Sequence, residues 1–132
     1  MTIGGTATFE NEGLTVRVTR QGQEATIAWT GESDARNPGD FLNPITNRFV
    51  KEFAGLNVTI DFSGLTYMNS ATVAPLIVSI KSFDGSADSV HVVFSDMDWQ
   101  RTHVQCVRTI SRTLKKVKID VKPSHKAGAE RP

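Results

Sequence analysis

Residues 58–83, VTIDFSGLTYMNSATVAPLIVSIKSF, contain a change of hydrophobic period that leaves few folds open. Val58, Ile60 and Phe62 alternate with Thr59, Asp61 and Ser63, the period-two pattern of a half-buried strand rich in β-branched and aromatic residues. Gly64 is expected to end that strand. After a short turn, Val73, Leu76, Ile77 and Ile80 recur at helical spacing and build one apolar stripe suited to packing on a sheet. Pro75 fixes the phase of this helix. In a helix body it would cost about 3 kcal/mol, whereas in the first turn its missing N–H has no helical partner to lose. The helix is therefore expected to start near Ala71 or Thr72, with Asn69, Ser70 or Thr72 as its N-cap.

Ser70 thus sits where a strand hands over to a helix, and two uses of its hydroxyl follow. It can cap the helix, the commoner use of serine at such a place. It can instead accept a phosphate, adding roughly 1.5 to 2 negative charges beside the positive end of the helix dipole. The second change would be felt by a partner surface more than by the fold.

The flanking sequence completes the topology. Thr6–Phe9, Leu14–Val18 and Ala25–Trp29 alternate apolar and polar residues, separated by Asn11-Glu12-Gly13 and Gln21-Gly22-Gln23, which predicts an antiparallel meander. Residues 31–39, GESDARNPG, read as a polar loop. A helix is expected from Gly39, Asp40 or Phe41, with Phe41, Ile45, Phe49 and Phe53 every four residues, Pro44 in its first turn and Gly55 at its end. Then come a loop over Asp84–Asp88, a strand over Ser89–Phe94, a helix from Trp99 to Leu114, and a strand in which Val117, Ile119 and Val121 alternate. Residues 123–132, PSHKAGAERP, lack apolar periodicity and are expected to form a disordered tail, leaving 1–122 as one domain. The order β-β-β-α-β-α-β-α-β predicts an α/β fold. It has a mixed β-sheet, antiparallel at its N-terminal side, with three helices packed mainly on one face. The βα turns then form the functional edge.

Charge and composition exclude several functions. A net charge of +1 gives no pull towards nucleic acid or membranes, and 39% hydrophobic with 22% charged residues is ordinary for a globular domain. No apolar run reaches membrane-spanning length, and residues 1–5 do not begin an export signal, so no membrane insertion is expected. The lone Cys106 makes no internal disulfide and fits a reducing cytoplasm. His91, His103 and His125 match no zinc spacing, and no phosphate-cradling glycine loop occurs, so neither metal nor cofactor is expected. A Ser-His-Asp hydrolase would need His91 or His103 beside Ser70, and no Gly-x-Ser-x-Gly elbow surrounds that serine. Arg101, Arg108, Arg112, Lys115, Lys116 and Lys118 make the last helix and strand basic, a solvated face or a surface for an acidic partner or, non-specifically, for nucleic acid. Without interleaved aromatics this is not a single-stranded nucleic-acid site. Trp99 is either a staple at the helix start or, with Arg101, an exposed interface anchor.

The strand followed by Tyr67-Met68-Asn69-Ser70-Ala71 and a helix resembles the STAS domain of anti-sigma-factor antagonists, in which an Asp-Ser-Ser-Gly-Leu-like turn presents a phosphorylatable serine. Within that superfamily the chain is most similar to the biofilm-regulating phosphoproteins of the SiaC type. Those carry a Gly-x-Ser-x-x-x-Asn-x loop, a Phe-x-x-Pro-Ile helix start and a Tyr-Phe-Asn-Ser/Thr turn, in that order. Here the matching residues are Gly31-Glu32-Ser33, Asn37-Pro38, Phe41-Leu42-Asn43-Pro44-Ile45 and Tyr67-Met68-Asn69-Ser70. The likeness runs from Ile27 to Ile80 and continues elsewhere only in element order.

The resemblance implies a cytoplasmic bacterial protein without catalytic activity, which binds a partner in one phosphorylation state and releases it in the other. A Ser/Thr kinase would add the phosphate and a PP2C-like phosphatase remove it. The regulated effector would be a protein such as a diguanylate cyclase or an anti-sigma factor. The implied phosphoacceptor is Ser70, with Thr72 as fallback. Ser33, Asn37, Tyr67, Met68, Asn69, Trp99 and Arg101 join it in a partner-binding rim. The chain departs from the antagonist pattern at three positions: Asn69 replaces Asp, Ala71 replaces a hydroxyl residue, and Thr72 takes the usual glycine place. A neutral Asn69 eases phosphorylation electrostatically and removes a charge that a kinase could read. The alternative is a constitutive scaffold of the same fold, bound through the same rim without a phosphoswitch. Homo-oligomers are allowed without being required.

Overall fold

The computed structural model describes residues 4–123, apart from the side chains of Asp98, Trp99 and Thr102; the expected tail beyond residue 123 lies outside the described residues. The elements are β1 Gly4–Asn11, β2 Leu14–Gln21, β3 Glu24–Ser33, α1 Pro38–Glu52, β4 Asn57–Met68, a 3₁₀ turn Ser70–Thr72, α2 Val73–Ser86, β5 Ser89–Ser95, α3 Asp98–Ser111 and β6 Val117–Lys122. They form one six-stranded sheet in the order β1-β2-β3-β4-β5-β6. β1, β2 and β3 pair antiparallel through tight turns, and β3 to β6 pair parallel through helices. Crossovers of one hand between consecutive neighbours bring all three helices to the same side of the sheet.

Register explains the core. Val18, Ile27, Ile60, Val92 and Ile119 are cross-strand partners in one row, and the first four are buried on the helix side. A second, aromatic row joins the parallel strands: Trp29 meets Phe62 edge-on at 4.8 Å, and Phe62 stacks on Phe94 at 5.3 Å. Such pairs add to the burial of large rings and hold the strands at fixed spacing. The other face is polar, with Thr6, Thr19, Thr26, Thr59, His91 and Lys118 in one register row. No helix among the described residues is long and apolar enough to cross a membrane.

Four sequence expectations need correction. β3 continues through Gly31 to Ser33, where a loop was expected, and β4 runs past Gly64 to Met68. Two bulges make this possible, one between the Ala28 and Thr30 positions and one between Gly31 and Glu32. In the first, the Asp61 carboxylate accepts hydrogen bonds from the Ser63 N–H at 2.9 Å and the Ser63 hydroxyl at 2.6 Å. A Cβ on Gly64 would lie 2.7 Å from Thr30 Cγ2, so this glycine serves close passage at a bulge and does not stop the strand. Third, α1 begins at Pro38, which leaves Pro44 inside the helix on an exposed position, one helical hydrogen bond short. The helix α2 also extends to Ser86, absorbing the start of the expected 84–88 loop.

Gly31 lies at the tightest contact of this framework. Its φ is +90°, and a Cβ would come 2.1 Å from the Gly13 carbonyl oxygen, the acceptor for the Glu32 N–H. Backbone strain and backbone clash act together here. Gly31→Ala is expected to lower unfolding free energy by on the order of 3 kcal/mol, read as the urea midpoint, while Gly85→Ala, with open space around it, leaves the midpoint nearly unchanged.

Candidate functional site

The last β4–β5 pair is Asp61–Val93, and β4 then continues beyond its neighbour, paired only with β3. Its exposed edge would leave carbonyls unsatisfied in the core. Gln100, fully buried in the first turn of α3, takes the place of the missing strand. Its side-chain N–H₂ donates to the carbonyls of Leu65 at 3.0 Å and Phe62 at 3.3 Å, and its Oε1 accepts the Ser95 N–H at 2.7 Å. One buried amide thereby ties β4, β5 and α3 together.

At the end of β4, Asn69 does the same for the turn. Its backbone N–H donates to the Ser33 carbonyl at 2.8 Å and its side-chain N–H₂ to the Ala35 carbonyl at 2.9 Å. Its Oδ1 accepts the Thr72 N–H at 3.1 Å and the Thr72 hydroxyl at 2.7 Å. Thr72 Oγ1 also lies 2.7 Å from Ser33 Oγ. With its single proton given to Asn69, Thr72 accepts there and Ser33 donates. Of the three candidate N-caps, Asn69 caps the 3₁₀ turn, and Thr72, the residue before α2, makes no side-chain cap of its own.

This network sorts the expected site residues by access. Ser70 is exposed, and its hydroxyl makes no hydrogen bond to another described residue. Tyr67 is 46% exposed, Asn37 and Arg101 are exposed, and Asn69 is half-buried. Ser33, Met68 and Thr72 are buried; they support the rim from within and do not line its surface. The expectation of a fallback phosphoacceptor meets an obstacle at Thr72, whose 0% exposure puts it beyond a kinase unless the turn opens. Trp99 falls in α3, with its side chain outside those described. Arg101 starts the helix that follows β5, so the same carboxyl-end edge of the parallel strands carries it and Ser70.

Two features were missed by sequence reasoning. No local pattern marks Gln100, between Trp99 and Arg101, as a glutamine that replaces a strand. The second is the outer face of α2 and its leading turn, where Ala71, Ala74 and Val78 are exposed, Val78 by 46%, in continuation of Ser70. A signal for it existed: the run VAPLIV is apolar all round, more than one buried stripe requires. The histidines stand elsewhere. His91 bonds Asp120 on the open face of the sheet, and burial holds the pKa of His103 on α3 below its usual value.

No protein-family model and no curated protein sequence matches the chain. Solved structures do. SiaC of Pseudomonas aeruginosa superposes with a TM-score of 0.55 and 11% identity, covering 89% of this chain and 98% of that one. The fold is SiaC-like. A chain in the crystal structure of the diguanylate cyclase SiaD in complex with its activator SiaC, from the same organism, matches with the same TM-score of 0.55, 11% identity and coverage of 89% and 98%. Identity at this level speaks for the fold, in agreement with the SiaC-type order of motifs between Gly31 and Ser70.

Because Asn69 bridges three segments and Ser70 none, their alanine variants separate. Asn69→Ala is expected to cost about 2 kcal/mol of stability, from the lost cap and the stranded Thr72 hydroxyl. Ser70→Ala is expected to stay within about 0.5 kcal/mol of the parent in the same urea titration.

Proposed function

We propose that this chain is a non-catalytic regulatory protein of the STAS-like superfamily that binds a protein partner through the rim around Ser70, and that phosphorylation of Ser70 switches the binding. The observation that carries this reading is the contrast at the turn: an exposed, unbonded serine on a backbone pinned by a buried polar network. A phosphate added there leaves the core contacts in place. It does place a hydrated dianion at the head of the exposed apolar face that Ala71, Ala74 and Val78 form along the turn and α2. A partner seated on that apolar patch would have to bury the dianion, and the desolvation cost ejects it.

The SiaC-like fold supports a diguanylate cyclase as the class of partner, since the SiaC in the matching complex is the activator of one. The switch calls for a Ser/Thr kinase and a PP2C-like phosphatase in the cytoplasm of a bacterial cell. Tyr67 and Val78 serve as anchors, with Asn37 and Arg101 at the polar margin.

The test is a quantitative pull-down from native lysate with the parent chain, Ser70→Ala, Ser70→Asp and Val78→Glu, alongside phosphosite mapping of the endogenous protein. A diguanylate cyclase is expected on the first two baits and lost from the last two, with phosphate mapped to Ser70. Equal retention by the parent, Ser70→Ala and Ser70→Asp, with Ser70 unmodified in cells, establishes the constitutive scaffold instead.

A further inference from the structure

The two ends of the sheet are protected very differently. β6 is a six-residue edge that carries Lys118, Asp120 and Lys122, the short and charged form that discourages strand addition. β1 is an eight-residue edge, GGTATFEN, with no lysine, no proline and no bulge; its register against β2 is unbroken from Gly4–Gln21 to Asn11–Leu14. Glu10 is the one charge within it. In a two-residue hairpin the pair flanking the turn exchanges both of its bonds, so the odd residues of β1 bond β2 and Gly4, Thr6, Thr8 and Glu10 aim theirs outward.

Beneath this edge the packing is incomplete. Gly5 and Ala7 are too small to cover the space between β2 and α1, and a cavity of about 250 Å³ opens there, floored by Val18, Phe49 and Phe53. Phe9, two residues on and half-buried, fills the equivalent position with a ring 6.0 Å from Phe49.

We infer that β1 is a homodimer edge: two copies pair their β1 strands antiparallel across a two-fold axis at Ala7, making one continuous twelve-stranded sheet. Faces are conserved only if odd residues meet odd residues. With Ala7 opposite its own copy, Thr6 meets Thr8 of the second copy, Gly5 meets Phe9, and Gly4 meets Glu10. Each outward-facing residue then exchanges bonds with another outward-facing residue. Each Phe9 ring comes to the open side of the other copy's cavity, an aromatic beside an edge glycine, and threonines pair on the polar face. Charge selects this edge over the other. No like charges oppose one another in the β1 pairing, whereas β6 paired on itself in phase sets Lys118 against Lys122 and Asp120 against Asp120. The interface is isologous and closes at two copies. It lies on the far side of the meander from β4, so it stands independently of the role given to Ser70.

The experiment is light scattering after size exclusion, over a micromolar concentration series of the full chain. The parent is expected at twice the chain mass. Thr8→Pro, which removes an outward N–H and leaves the β2 ladder intact, and Thr8→Lys are both expected to run as monomers with unchanged far-UV circular dichroism. In a Cys106→Ser background, Ala7→Cys is expected to form a disulfide-linked dimer on mild oxidation. A monomeric parent throughout the series overturns the inference. So does a dimer indifferent to both Thr8 substitutions, a dimer in which Ala7→Cys fails to cross-link, or a ladder of larger species, which would mean that β1 meets a different edge.

Discussion

The parallel ladder between β3 and β4 runs from Glu24–Asn57 to Ser33–Met68, well past the last pair that β4 makes with β5, and the turn carrying Ser70 hangs from its far end. Everything at the rim depends on that overrun. It is bought by two bulges and two glycines: Gly64 lets β4 slip past Thr30, and Gly31 lets β3 pass the Gly13 carbonyl. Without them the strands would diverge before Ser33 and Asn69 could meet. Ser33 then supplies a carbonyl to Asn69 and a hydroxyl to Thr72, so the last residue of one strand fixes the first residues after the other.

An overrunning strand brings a difficulty that Gln100 resolves. Carbonyls of Phe62 and Leu65 lie where β5, though it runs on to Ser95, no longer pairs with β4, within a core that contains the Trp29–Phe62–Phe94 row. A buried carbonyl without a donor costs roughly 1–3 kcal/mol. The amide of Gln100 meets both carbonyls and the Ser95 N–H. As a result α3 is seated at the same edge as the turn, and the rim has rigid walls on two sides.

Much of this fold was legible in the sequence because each element carries its own period. Alternation marked every strand, and apolar recurrence at three- and four-residue spacing marked every helix. The two strand errors share one cause. Gly31 and Gly64 look the same in sequence whether they end a strand or permit a bulge within one, and only the neighbouring strand decides. Pro44 was placed in a first turn by local rule, whereas Pro38 already occupied that place. For the site, the turn at Asn69-Ser70 was found from its position between two periods. Which of its side chains face water was not: Ser33, Met68 and Thr72 are as polar or flexible as their exposed neighbours, and their burial comes from segments far away in the chain.

By itself the sequence determined the order of the elements, the mixed character of the sheet and the place of the strand–turn–helix unit, because hydrophobic period and turn chemistry act within a few residues. Tertiary structure alone decided which hydroxyl is free. Ser70 and Thr72 stand two residues apart in the same cluster, and what separates them is a set of hydrogen bonds from Asn69 and Ser33 that closes only when β3 and β4 lie side by side. The same holds for the uncovered edge of β1: its composition is local, but its place as the end of the sheet is a property of the whole strand order.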